Sequence, residues 1–189
     1  MSLSSRQDPT LIQQIICPNL RSSVDKKSLT TNRLHCPSDK TQLMRLHIFQ
    51  HESSCGPANL LEWADSRDIE LHLLRFHEGA SIPALDEVEA VIILGGTMNA
   101  YQDDQFPHLK AVRAFTRQAL LADKKVFGIC LGAQIMADAL GSSVVRAPIT
   151  EKGWLEITRL PEAMQSPLLD WLPENHPFVS WHGDTFDIP

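Results

Sequence analysis

Gly128-Ile129-Cys130-Leu131-Gly132-Ala133-Gln134 sets a cysteine between two glycines, each two residues away, directly after Lys125-Val126-Phe127. A strand that turns straight into a helix must bend sharply, and glycine on both flanks removes the Cβ atoms that would collide across the bend. This is the pattern of a nucleophile elbow. Cys130 would stand alone above a sheet, its thiol at a helix N-terminus where unpaired amides and the helix dipole favour the reactive thiolate. The competing reading is a buried structural cysteine beside an ordinary strand-to-helix turn. Both glycines fall where an elbow needs them, which favours the catalytic reading.

An elbow needs a strand before it and a helix after it. Lys125 to Ile129 reads as a short buried strand, and Leu131 to Leu140 carries Leu131, Ile135, Met136, Ala139 and Leu140 at helical spacing. Upstream the same alternation starts at Met44, with strands Arg45 to Phe49, Ile69 to Leu74 and Val88 to Leu94, and helices Gly56 to Ala64 and His108 to Leu121. The run Ala90-Val91-Ile92-Ile93-Leu94 is continuous, as in a strand covered on both faces. Downstream, strands Ser143 to Arg146 and Leu155 to Arg159, a helix around Ala163 to Trp171 and a strand Phe178 to Trp181 suggest a more antiparallel region. The pattern argues for a mainly parallel sheet with helices on both faces. Ligands of such sheets bind at the carboxyl ends of the strands. That rule selects Gln50-His51-Glu52, Gly95-Gly96-Thr97-Met98, Cys130 with its turn, and Trp181-His182-Gly183-Asp184.

A chain of 189 residues that is 43% apolar can bury one sizeable core. No apolar run spans a membrane and no secretory signal is visible, so a soluble cytoplasmic protein without membrane partners is expected. The cysteines Cys17, Cys36, Cys55 and Cys130 form no CxxC pair and no zinc-ligand spacing, so no disulfide framework and no metal are expected. A net charge of −6 gives no support for nucleic acid as a partner. That charge is uneven, +3 over residues 1–43 and −9 over the rest, and the first 43 residues hold none of the 9 glycines. They read as a disordered extension with one short helix near Pro9 to Ile16, or as an upstream addition to a chain that starts at Met44.

Taken together, Ile93-Leu94-Gly95-Gly96-Thr97-Met98, the Cys130 elbow, Glu151-Lys152-Gly153-Trp154 and Trp181-His182-Gly183-Asp184-Thr185-Phe186-Asp187 resemble the class I glutamine amidotransferases. The resemblance is strongest to a stand-alone branch similar to the glutamine-hydrolysing domain of GMP synthase, and it covers residues 44–189. It implies a flavodoxin-like three-layer fold with a mainly parallel central sheet. It also implies Cys130 as nucleophile on a γ-amide, without a cofactor. The oxyanion so formed needs preplaced donors, which by resemblance are the Leu131 amide and one from Gly95 or Gly96. Gln134, one helical turn beyond Cys130, would help hold the substrate glutamine. Ser180, Trp181, His182 and Asp184 would line its amino-acid end, with Asp184 balancing the α-ammonium and Trp181 alternatively a core residue. Thr97 stands where many relatives have proline.

The family's general base and its carboxylate come from a later His-x-Glu segment, which occurs nowhere in this sequence. The expectation is therefore a C-terminally shortened domain, lacking its last strand and helix, with an uncovered sheet edge and impaired turnover. His182 is the best substitute base by composition, with His51 also at a strand end, while His47, His72 and His77 read as partly exposed. Two functions stay open: hydrolysis of glutamine or a γ-glutamyl compound through a Cys130 thioester, with ammonia passed to a separate synthase or released, or an inactive member that binds a ligand or a protein. A cysteine-elbow hydrolase of another α/β family is a third, weaker reading.

Overall fold

The computed structural model describes residues 44–161, 163, 166–169 and 171–189. The expected N-terminal extension lies outside the described residues, as does part of the helix expected around Ala163 to Trp171. Residues 44–156 with Pro177–Pro189 pack as one compact unit, and Ile157–His176 belongs to another.

The first unit is built on β1 (Arg45–Gln50), β2 (Glu70–Arg75), β3 (Ala90–Ile93) and β4 (Lys125–Gly128), all parallel in the order β2-β1-β3-β4. Phe49 lies opposite both Leu74 and Ile93, and Ile93 lies opposite Gly128, so the carboxyl ends of the strands are level. β1 and β3 are interior and buried along almost their whole length, as their continuous apolar runs require. Side chains alternate between two cores. Leu46, Ile48, Ala90 and Ile92 pack with Ile69, Leu71 and Leu73 on one face, and Phe49, Val91 and Ile93 pack with Leu109, Val112, Phe115 and Ile135 on the other.

Three helices accompany the sheet: α1 (Leu60–Asp65), α2 (His108–Leu121) and α3 (Leu131–Ala139). α1 starts later than the expected Gly56, because Pro57 to Asn59 form a turn with Ala58 at φ 46°. α2 buries Leu109, Val112, Phe115, Thr116 and Ala119, one stripe at helical spacing. Arg113 on α2 fastens α3 by pairing with Asp138, while its fork onto Asp103 at 2.9 Å ties it to the loop before α2. Arg117 donates to the Ala139 carbonyl at 2.8 Å, satisfying an end group of α3 with a cation placed where the helix dipole favours it. Helix α3 is thus braced from α2 at its far end.

Three expectations need correction. His47 is buried, not partly exposed, because β1 is covered on both faces; its ring stacks on His72 at 4.7 Å, and burial followed by the charges of His72 and Arg45 pulls its pKa down. β4 is not a buried strand: it is the outer strand among the described residues, and Phe127 is 51% exposed on the face opposite α2 and α3. The two short strands expected after the elbow are one, β5 (Val145–Thr158), paired with β6 (Asn175–Thr185). Gly153 at φ 118° bends β5 without ending it, and Pro148 is tolerated on a strand with one described partner.

In the other unit, the Arg159 guanidinium donates to the Leu169 carbonyl at 2.5 Å and its amide to Glu174 at 2.7 Å. The Trp171 indole donates to the Leu168 carbonyl at 2.8 Å. Among the described residues no helix is long and apolar enough to cross a membrane, and no cluster of three or more His, Cys, Asp or Glu side chains could hold a metal ion.

Candidate functional site

Cys130 is exposed, with φ 53° and ψ −109°, at the position that caps α3. A non-glycine residue in this region is strained, and surrounding packing must impose it. The constraint is backbone against backbone. A Cβ at Gly132 would overlap the Ile93 carbonyl, and one at Gly128 would sit 2.5 Å from the Ala133 nitrogen. The Ile129 amide meanwhile donates to the Ile93 carbonyl at 2.9 Å, locking the turn to β3. The elbow anticipated from Gly-x-Cys-x-Gly is present, with each glycine required by close approach.

The amides after Cys130 divide in two groups. Those of Gly132, Ala133 and Gln134 bond back to the Ile129 and Cys130 carbonyls at 2.9 to 3.2 Å, while that of Leu131 has no protein acceptor among the described residues. This is the open donor that a helix N-terminus offers to developing negative charge. Gly95 lies against Cys130, since a Cβ there would stand 3.4 Å from the Cys130 Cβ. Gly96 is wedged between the side chains of Met98, Leu131 and His51, where an added Cβ would need Met98 to move. The paired glycines and the elbow, far apart in sequence, are thereby adjacent.

From β6 the Trp181 carbonyl reaches the Cys130 Sγ at 4.0 Å. Trp181 is not core: its ring is 70% exposed, beneath the Lys152 ammonium at 5.1 Å. Ser180 and His182 are half-buried and Asp184 is buried. His182 Nε2 pairs with Glu151 at 3.0 Å and Asp184 with Arg146 at 3.5 Å. Gln134 is 7% exposed, which removes the reading of a solvent-facing helix glutamine. His51, the other candidate base, turns its Nδ1 to His108 Nε2 at 3.2 Å. Burial, and then the neighbouring His108, depress its pKa to about 4, so the ring is neutral.

Sequence reasoning missed what secures the glycine loop. Glu52, just past β1, accepts the Thr97 amide on Oε1 at 2.9 Å and the Thr97 hydroxyl on Oε2 at 2.8 Å, and the Cys55 thiol donates to Oε1 at 3.1 Å. Burial pushes the Glu52 carboxyl up, but hydrogen bonds from Cys55, Thr97 and Ser54 outweigh it and hold the group below its ordinary value. The same burial, with Glu52 beside it, pushes the Cys55 thiol up. The available signal was the strand-end position of Gln50-His51-Glu52 and the N–H that Thr97 has and proline lacks. Glu151 and Arg146, the partners on β5, were invisible because nothing in their spacing ties them to β6.

Comparison with known proteins gives a consistent result. Residues 57–188 match the family model described as glutamine amidotransferase class-I. The chain is 30% identical over 145 residues to the glutamine amidotransferase-like protein YfeJ of Salmonella typhimurium, covering 75% of this chain and 61% of that one. It is 37% identical over 98 residues to the glutamine-hydrolyzing GMP synthase of Corynebacterium ammoniagenes, covering 52% of this chain and 17% of the synthase. Its fold is similar to the crystal structure of a glutamine amidotransferase from Thermotoga maritima, with TM-score 0.70, 28% identity, and coverage of 77% of this chain and 63% of that one. The chain therefore spans about three fifths of the YfeJ relative and of the Thermotoga protein.

Proposed function

The chain belongs to the class I glutamine amidotransferases, and from that premise we propose that Cys130 is the nucleophile on the side-chain amide of glutamine or a γ-glutamyl compound. The observation that carries this reading is the strained backbone of Cys130 at the N-terminus of α3, with Gly95 against it. In the proposed first step the sulfur bonds to the amide carbon, and the carbonyl oxygen takes the negative charge against the Leu131 amide and one from Gly95 or Gly96. Collapse expels the amide nitrogen, which leaves as ammonia once protonated, and a thioester remains. Water then cleaves the thioester, giving the γ-carboxylate and the free thiol. Gln134 and the Ser180–Asp184 segment hold the substrate, with the Asp184 carboxylate facing its ammonium. Ammonia goes to a separate acceptor synthase or to solvent.

One observation favours a second reading. Both steps need a base, but the polar partner of the Cys130 sulfur among the described residues is the Trp181 carbonyl, while His51 and His182 bond to His108 and Glu151. On this reading residues 1–189 bind the ligand and acylate slowly, without efficient turnover.

The test is ammonia release from L-glutamine by the full chain, with Cys130→Ala as control. Steady release that the variant abolishes supports the enzyme. Covalent labelling of Cys130 by a diazoketone analogue of glutamine, slowed by glutamine itself but without steady ammonia release, supports the second reading. Absence of both would sink the glutamine site altogether.

A further inference from the structure

The loop that would supply the second oxyanion donor contains two adjacent glycines, so it has no side chains of its own to hold its shape. Glu52 supplies that hold. Its two carboxylate oxygens take the two donors of one residue, the Thr97 N–H at 2.9 Å and the Thr97 hydroxyl at 2.8 Å. That N–H belongs to the planar peptide joining Gly96 to Thr97, so gripping it fixes the plane of the peptide next to the proposed donors. Glu52 is itself anchored, since it lies two residues past the end of β1 and Gln50 Nε2 donates to its carbonyl at 2.8 Å.

We propose that Glu52 is a positioning residue for the oxyanion site: by clamping Thr97 it keeps the Gly95 and Gly96 amides turned toward Cys130. This rests on the reading of Cys130 as the glutamine nucleophile. Glu52 touches no reacting atom; it acts through the loop. The lowered pKa of its carboxyl keeps the clamp in its strongest, ionised form at neutral pH. A proline at position 97 has no N–H, so this clamp is specific to chains with another residue there.

The test compares two labelling rates at Cys130 in the full chain, followed by mass spectrometry. The diazoketone analogue of glutamine must lodge its carbonyl in the oxyanion site, whereas iodoacetamide needs only an accessible thiol. Glu52→Ala is expected to slow the diazoketone by about tenfold or more while iodoacetamide stays within about twofold. Glu52→Gln is expected to restore most of the rate, because its amide oxygen can accept the Thr97 N–H while its NH2 donates to the Thr97 oxygen. Thr97→Val, which keeps the N–H and loses the hydroxyl, should fall between wild type and Glu52→Ala, and it serves as the test if Glu52→Ala does not fold. Wild-type diazoketone rates in Glu52→Ala, an equal slowing of both reagents, or no rescue by glutamine would each overturn the proposal. If the diazoketone fails to label wild-type Cys130 at all, the glutamine reading itself is lost, an outcome distinct from these.

Discussion

At the carboxyl ends of β3 and β4 the chain approaches itself backbone to backbone, whereas the β5–β6 hairpin holds His182 and Asp184 by side-chain pairs. Around Cys130, Gly132 lies on the Ile93 carbonyl and Gly128 on the first turn of α3, with Arg113 and Arg117 bracing the helix through Asp138 and the Ala139 carbonyl. On the hairpin, His182 and Asp184 are set by Glu151 and Arg146, while Ile149, Trp154 and Trp181 stand mostly in solvent. The contrast is between geometry fixed by covalent backbone and geometry fixed by paired side chains, of which Arg146, His182 and Glu151 reach solvent. A nucleophile must be held to a fraction of an ångström, and a substrate's charged end tolerates more play.

Gly132→Ala should produce the largest effect. The added methyl group overlaps the Ile93 carbonyl, a buried backbone atom that cannot swing aside. A loss of about 3 kcal/mol or more is expected in urea unfolding of the full chain. A loss under about 1 kcal/mol would mean that the elbow yields as easily as a surface loop, and the comparison would break there.

Acid should strike the elbow side next. His51, buried behind the glycine loop, binds a proton near pH 6.5 when unfolded and only near 4 in the folded chain. Between these values the unfolded chain carries more protons, so folding stability falls as pH drops through that window, by about 3 kcal/mol in all. Glu52 works in the same direction but later: its lowered pKa contributes stability above about 4.5 that is lost as pH falls further. Unfolding measured at pH 7 and at pH 4.5 therefore reads the buried histidines apart from Glu52, and because burial lowers His47 and His108 as well, the share that belongs to His51 is the part its removal takes away. His51→Leu should flatten the difference, and a variant that loses stability in parallel with wild type would move the acid sensitivity elsewhere.

The same contrast explains what was legible in the sequence. The interior strands, α2 and the elbow all follow from local rules, because hydrophobic period, glycine spacing and the helix N-terminus act within a few residues. The adjacency of Gly95 to Cys130 needed only the rule that parallel strands deliver their carboxyl ends to one side. The Glu52 clamp was not legible, since it joins residues 45 positions apart through two hydrogen bonds with no periodic trace. The burial of His47 was missed for a related reason: strand position in the sheet, not residue type, decides exposure. The exposed Phe127 is the mirror case, an aromatic residue on an outer strand.

Trp154→Ser should give the smallest effect and thereby measures the other side of the comparison. The indole is 74% exposed on β5, so its removal returns little apolar surface to water. A change within about 0.5 kcal/mol in the same urea assay is expected, the ordinary range for a surface site. Deleting one of the two largest side chains in the hairpin would then matter less than adding one methyl group at the elbow. If instead the loss exceeds about 2 kcal/mol, the scale of a fully buried large side chain, the hairpin face is covered in solution, and its ion pairs would work in a drier, less screened setting. Asp184 and His182 would then be held as firmly as Cys130, and the division between a rigid elbow and a loosely held hairpin segment would no longer stand.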